Sequence, residues 1–195
     1  GVPLRAPPAD VPARVGWGAS GGARKGTPLR VTGTRSNMSE SESDRTTFVK
    51  RIIRASRPII YRAFVDADSL LRWLPPEGMR GEMISFDPRV GGAFSMSLIY
   101  LHPEHQVAGK SAEDRDTFQG RFAELIPDER IVWEVDFESQ NEAMAGSMRI
   151  SWDLRDVMTG TEVSVLTENI PPGIRPEDNE LGCQSSLAKL AALVE

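Results

Sequence analysis

Between residues 46 and 168 apolar and polar side chains alternate with a period of two over several short stretches, the mark of half-buried strands. The first, TTFVKRIIR, is β-branched and aromatic. Two short helices are predicted next. SRPIIYRAFVD has Ser56 as N-cap and Pro58 in its first turn, and DADSLLRWL is capped by Asp66 or Asp68 and stopped at Pro75-Pro76. A series of strands follows. GEMISFDPRVGG ends in a Gly-Gly turn, and AFSMSLIYL places Phe94, Met96, Leu98 and Tyr100 on one face. Residues 102–116 read as a polar hairpin loop. TFQGRFAELIP and RIVWEVDFE are joined at Asp128-Glu129, and the second sets Ile131, Trp133, Val135 and Phe137 against Val132, Glu134, Asp136 and Glu138. In GSMRISWDLRD the apolar set is Met148, Ile150, Trp152 and Leu154, and TEVSVLTENI closes the series after Thr159-Gly160.

The period changes after that. In NELGCQSSLAKLAALVE, Cys183, Leu187, Leu190, Ala191 and Val194 recur at the spacing of one helical face. Strands joined by short turns make an antiparallel meander with one solvated side, so the other side needs a cover. The C-terminal helix is the long element left to supply it. The expected fold is α+β: a curved antiparallel sheet of about six to seven strands around a long C-terminal helix, with two short helices after the first strand.

Composition divides the chain. Residues 1–44 are dense in Gly, Pro, Ala and Arg with few large apolar side chains, and such a segment buries too little surface to offset its ordering entropy. They are expected to form a tail, with residues 45–195 as the domain. Met38 opens MSESESDRTT like a second start of translation, so residues 1–37 read as a leader, a transit-like segment or added sequence. No apolar run reaches the length of a membrane span, and the net charge of −5 argues against nucleic acid as the partner. A single Cys183 makes no internal disulfide and fits a reducing compartment, hence an expected cytoplasmic location.

Candidate chemistry is sparse. Gly18-Ala19-Ser20-Gly21-Gly22 matches the spacing of a nucleophile elbow but lies in the tail, without the strand and helix that motif requires. His102, Glu104 and His105 could offer a metal two imidazoles, but Pro103 intervenes and the spacing is not that of a helical site. Asn37-Met38-Ser39 fits a glycosylation sequon and carries no weight without a secretory signal. Of the strand carboxylates, Glu134 is expected on the solvated face. Glu124 falls by alternation on the face of Phe118 and Phe122, while Glu168 stands near a strand end and Glu82 on an early strand. An acid buried there would have a raised pKa suited to general acid or base work. Cys183 reads as a small buried hydrophobe, or as a thiol activated by the first turns of its helix. No metal, nucleotide or redox cofactor is indicated.

The segments RPIIYRAFVDADSLLRWLPPEG, DPRVGGAFSM, GRFAELIPDERIVWE and GTEVSVLTENIPPGIRPEDNELGCQSSLAKLAALVE resemble, in order and spacing, the SRPBCC or START-like superfamily, in the branch of homologues of the activator of the heat-shock-protein-90 ATPase. The resemblance covers about residues 46–195 and implies a helix-grip fold with an apolar cavity between sheet and helix. The side chains expected to line it are Trp73, Phe94, Met96, Leu98, Phe122, Trp133, Met148, Trp152, Cys183 and Leu187. Many relatives carry Trp at the position of Cys183 and a second aromatic at that of Leu74, and smaller groups there either enlarge the cavity or are packed over by neighbours. The expected function is binding of a hydrophobic or amphipathic small molecule, without an evident catalytic set. A cyclase- or hydrolase-type enzyme, polyketide cyclases included, and a co-chaperone-like interaction module are the alternatives that the resemblance leaves open. The expected partner is thus a hydrophobic small molecule; a homodimer and a chaperone contact stay open.

Overall fold

The computed structural model describes residues 45–101, 115–137 and 146–195. The His102–His105 cluster, the Ser20 motif and the Asn37 sequon lie outside these residues. Strand β1 (Thr47–Ile53) leads into α1 (Arg57–Val65) and α2 (Ala67–Trp73). Strands β2 (Met79–Phe86), β3 (Ala93–Tyr100), β4 (Arg115–Ile126), β5 (Arg130–Phe137), β6 (Gly146–Val157) and β7 (Gly160–Glu168) follow, and α3 (Pro176–Val194) closes the order. The fold is α+β, and the helix-grip arrangement read from the sequence is the one observed.

The strands form one seven-stranded antiparallel sheet in the order β1-β7-β6-β5-β4-β3-β2. Five hairpin neighbours pair in sequence, and β1 returns to pair with β7, Thr47 opposite Thr167 and Ile53 opposite Thr161. The turn from β6 to β7 requires Gly160, whose φ is +144° and where a Cβ would fall 2.1 Å from the Ile53 carbonyl oxygen.

Local signals set the helix starts. Asp66 caps α2 by accepting a hydrogen bond from the Ser69 backbone N–H at 2.8 Å. In α3, Pro176 occupies the first turn beside Glu177 and Asp178, whose charge suits a helix N-terminus. Arg175 holds the buried Asp178 carboxylate through two hydrogen bonds of 2.8 and 2.6 Å.

Three helices, not one, cover the concave face. Cys183, Leu187, Leu190 and Ala191 of α3 are buried there, and so are Ile60 and Phe64 of α1 and Leu70 and Trp73 of α2. Helix α3 fastens α2 from behind: Ser186 Oγ donates to the Leu74 carbonyl at 3.3 Å and Lys189 Nζ to the Pro75 carbonyl at 2.6 Å. Partial burial of that ammonium lowers the Lys189 pKa. The outer face carries cross-strand ion pairs, Arg130 with Glu124 (3.2 Å) and Asp153 (2.5 Å), and Glu134 with Arg149 (2.9 Å) and Arg121.

Candidate functional site

Alternation on four neighbouring strands, β3 to β6, delivers the large side chains to one place. Phe94 faces Gly120, Phe122 faces Trp133, and Trp133 and Trp152 sit diagonally across β5 and β6, since their direct partners are Ile150 and Ile131. Phe64 comes down from α1 and Trp73 from α2. The six rings are all essentially removed from solvent. Trp133 is their hub, with ring centroids 5.5 Å from Phe94, 5.6 Å from Trp152, 5.8 Å from Phe64, 6.3 Å from Phe122 and 6.4 Å from Trp73. Most of these pairs are edge-to-face or tilted, the orientation that ring quadrupoles favour.

Gly120 makes the arrangement fit. The Phe94 ring lies over its backbone, and a Cβ at that position would be 2.4 Å from Phe94 Cζ. Gly120→Ala is therefore expected to drive Phe94 against Phe122 and Trp133, costing about 1–3 kcal/mol. Urea unfolding together with the near-ultraviolet circular dichroism of the ring cluster checks this. Unchanged stability with an unchanged spectrum would show that Phe94 does not rest on Gly120.

Polarity enters this interior at several points, and three of them bear on the site. The first is the N-terminal part of α3. There Asn179 Oδ1 accepts from Thr47 Oγ1 at 2.6 Å and weakly from Cys183 Sγ at 3.8 Å, while Asn179 Nδ2 meets the Met148 sulfur, 4.0 Å away. Cys183 and Thr167 are also 4.0 Å apart. Burial pushes the Cys183 thiol up to about 12, the contact with Thr167 opposing and the Glu180 charge assisting. A thiol so placed stays protonated and is no nucleophile at neutral pH.

The other two points are Trp133 and Trp152. Their indole N–H groups are buried and have no hydrogen-bond partner among the described residues, whereas Trp73 Nε1 donates to the Ala63 carbonyl at 2.9 Å. A buried donor left unpaired costs about 1–3 kcal/mol. Ser151 Oγ is also unpaired, but it lies on the opposite face of β6.

All ten side chains expected at the site belong to one continuous buried core. Trp73, Phe94, Met96, Phe122, Trp133 and Trp152 form its ring-rich half. Met148, Cys183 and Leu187 belong to the half that α3 covers, and Leu98 continues the β3 row. Leu187 also lines an open groove of about 380 Å³ along the seam of β1 and α3, with Phe48, Lys50, Arg51, Glu180 and Gln184.

The carboxylates are arranged differently from the simple alternation. A bulge between Phe122 and Glu124 sets Phe122 opposite Trp133 but Glu124 opposite Val132. The extra residue, Ala123, turns Glu124 to the outer face, where it pairs with Arg130. Glu134 and Glu168 lie on that face as well, with Arg149 beside both. Glu82 is exposed on β2. Two residues escaped the sequence reading. Phe64 touches Trp73 at 4.8 Å and Trp152 at 5.1 Å, and its place four residues after Ile60 on an amphipathic turn was the available signal. Asn179 stands one helical turn before Cys183, on the same face.

Among the described residues, no helix is long and apolar enough to cross a membrane, and no group of acidic, His or Cys side chains is placed to hold a metal ion. The family model described as "Activator of Hsp90 ATPase homolog 1-like protein" matches residues 54–195. The chain is similar to a Chromobacterium violaceum protein of known crystal structure, at 36% identity with a TM-score of 0.68, over 77% of this chain and 97% of that one. An AHSA1-like protein from Aeromonas hydrophila, solved by NMR, shares the fold at 16% identity and a TM-score of 0.59, over 76% and 91% of the two chains. A Mycobacterium smegmatis protein does so at 11% identity and a TM-score of 0.61, over 82% and 96%. No curated protein matches.

Proposed function

We propose, from the premise that the chain belongs to the family of activator of Hsp90 ATPase homolog 1-like proteins, that it holds a hydrophobic or amphipathic small molecule between the concave face of the sheet and α3. The observation that carries this reading is the interior itself: six buried rings converge under the helices in a core where Asp178, tied to Arg175, is the one charged side chain buried among the described residues. Apolar walls with a few fixed polar groups are the usual lining of a small-molecule site. A guest enters this site by parting ring–ring contacts, each worth about 0.5–1.5 kcal/mol beyond the area it buries.

Native mass spectrometry of the full chain, with displacement of a lipophilic fluorescent dye, tests the proposal. Retained small-molecule adducts, or dye binding competed by apolar compounds with a change in tryptophan fluorescence, are expected. A bare protein mass with no dye binding would sink the reading. The co-chaperone alternative is separated by adding the chain to the chaperone's ATPase: stimulation there without any ligand binding would transfer the function to a protein surface.

A further inference from the structure

Why are two of the three indole N–H groups in the ring cluster unpaired while the third is not? Backbone acceptors decide it. Trp73 reaches Ala63 near the C-terminal end of α1, where helical carbonyls lack intrahelical partners. Trp133 and Trp152 stand on β5 and β6, each flanked by strands on both sides, so the carbonyls around them are committed to the ladders. No side-chain acceptor among the described residues meets either indole. An indole N–H is a donor only, so each of these groups calls for an acceptor that the described residues do not supply.

We infer that the molecule held in this interior carries a neutral oxygen acceptor, of the ketone, ester or lactone kind, which takes the hydrogen bonds of Trp133 Nε1 and Trp152 Nε1. This deepens the binding reading above and rests on it. The two indoles are neighbours, with ring centroids 5.6 Å apart, so both unpaired donors belong to the same part of the interior. Charge selects a neutral oxygen. The only buried charged side chain among the described residues is the Asp178 carboxylate, held by Arg175 in the first turn of α3. A carboxylate guest would therefore be buried without a counter-ion, which desolvation opposes strongly. A plain hydrocarbon would leave both donors as they are.

The test uses the full-length chain and two isosteric probes, acetophenone and α-methylstyrene, which differ by a carbonyl oxygen in place of a methylene. In ¹H–¹⁵N spectra, acetophenone is expected to shift the Trp133 and Trp152 indole N–H resonances downfield and leave that of Trp73 nearly in place. The alkene should bind at least about tenfold more weakly after correction for their difference in water solubility. Trp133→Phe with Trp152→Phe keeps the rings and removes both donors, and should bring the ratio close to one in a folded protein. Equal binding of the two probes by the unmodified chain, with no selective indole shift, would overturn the inference and leave the hydrophobic-ligand reading standing. Binding of neither probe would count against both. The indole shifts are read on the unmodified chain, so the outcome does not depend on the variants folding.

Discussion

Trp152→Ala is expected to lower the unfolding free energy by about 3–5 kcal/mol, the range for deleting a large aromatic from a close-packed core. Trp152 is fully buried against Phe64, Trp73 and Trp133, with centroids 5.1, 5.6 and 5.6 Å away, and each neighbour is itself held by two or more other rings. The space cannot collapse cheaply, because moving any one ring disturbs the rest. Against a total stability of about 5–15 kcal/mol for an ordinary domain, such a loss removes much of the margin. Equilibrium urea unfolding monitored by far-ultraviolet circular dichroism measures it. The matching change Trp152→Phe should cost much less, since it keeps a ring and discards an unpaired donor, and Trp73→Phe should cost more than Trp152→Phe because it strands the Ala63 carbonyl. Equal losses for the two Phe variants would mean that the indole of Trp152 is satisfied after all.

The second large effect is alkaline. The Cys183 thiol rises from an ordinary value of 9.0 to about 12 in the fold, chiefly by burial. Below pH 9 both folded and unfolded chains keep the proton, and the thiol adds no pH dependence. Between pH 9 and 12 only the unfolded chain releases it, so stability falls as pH rises, by about 1.4 kcal/mol per unit and on the order of 4 kcal/mol across the window. Urea midpoints measured from pH 8 to 11 for the natural chain and for Cys183→Ala isolate this contribution, since the other titrating groups are common to both. The natural chain should lose stability more steeply above pH 9. Parallel curves would show that the thiol is not desolvated. Reaction of the folded chain with a disulfide reagent at pH 8 should correspondingly be limited by unfolding.

Much of this molecule is legible in its sequence because its strands obey a period of two. Phe94, Met96 and Leu98, or Met148, Ile150 and Trp152, could be assigned to one face before any coordinates, and the spacing of Leu187, Leu190 and Ala191 marked the helix that covers them. Glu124 was not legible for the same reason: alternation carries no record of one inserted residue, and Ala123 reverses everything that follows until the strand ends. Phe64 was hidden because the C-terminal helix seemed cover enough by length. The two helices after β1 are short, yet they bring the residues that meet the tryptophans. Asn179 was hidden by its chemistry, since a buried amide on an apolar face leaves no mark in a hydrophobic pattern. The unpaired indoles required coordinates, because pairing depends on which carbonyls the sheet has already used.

The pairing of the first strand with the last has a kinetic meaning. Neighbouring hairpins can form from contacts a few residues apart, but Thr47 meets Thr167 only after the chain between them has returned to its starting point. Arg45 adds to that closure by donating to the Ile170 and Pro171 carbonyls. Contacts so distant along the chain pay their loop entropy before they return any energy, and proteins dominated by them fold in milliseconds to seconds rather than microseconds. On a ribosome, β1 emerges with no strand to pair with until β7 is made. Phe64 and Trp73 likewise wait for Trp133 and Trp152 on β5 and β6, and before those strands are made the nascent chain is at its most prone to associate with other chains.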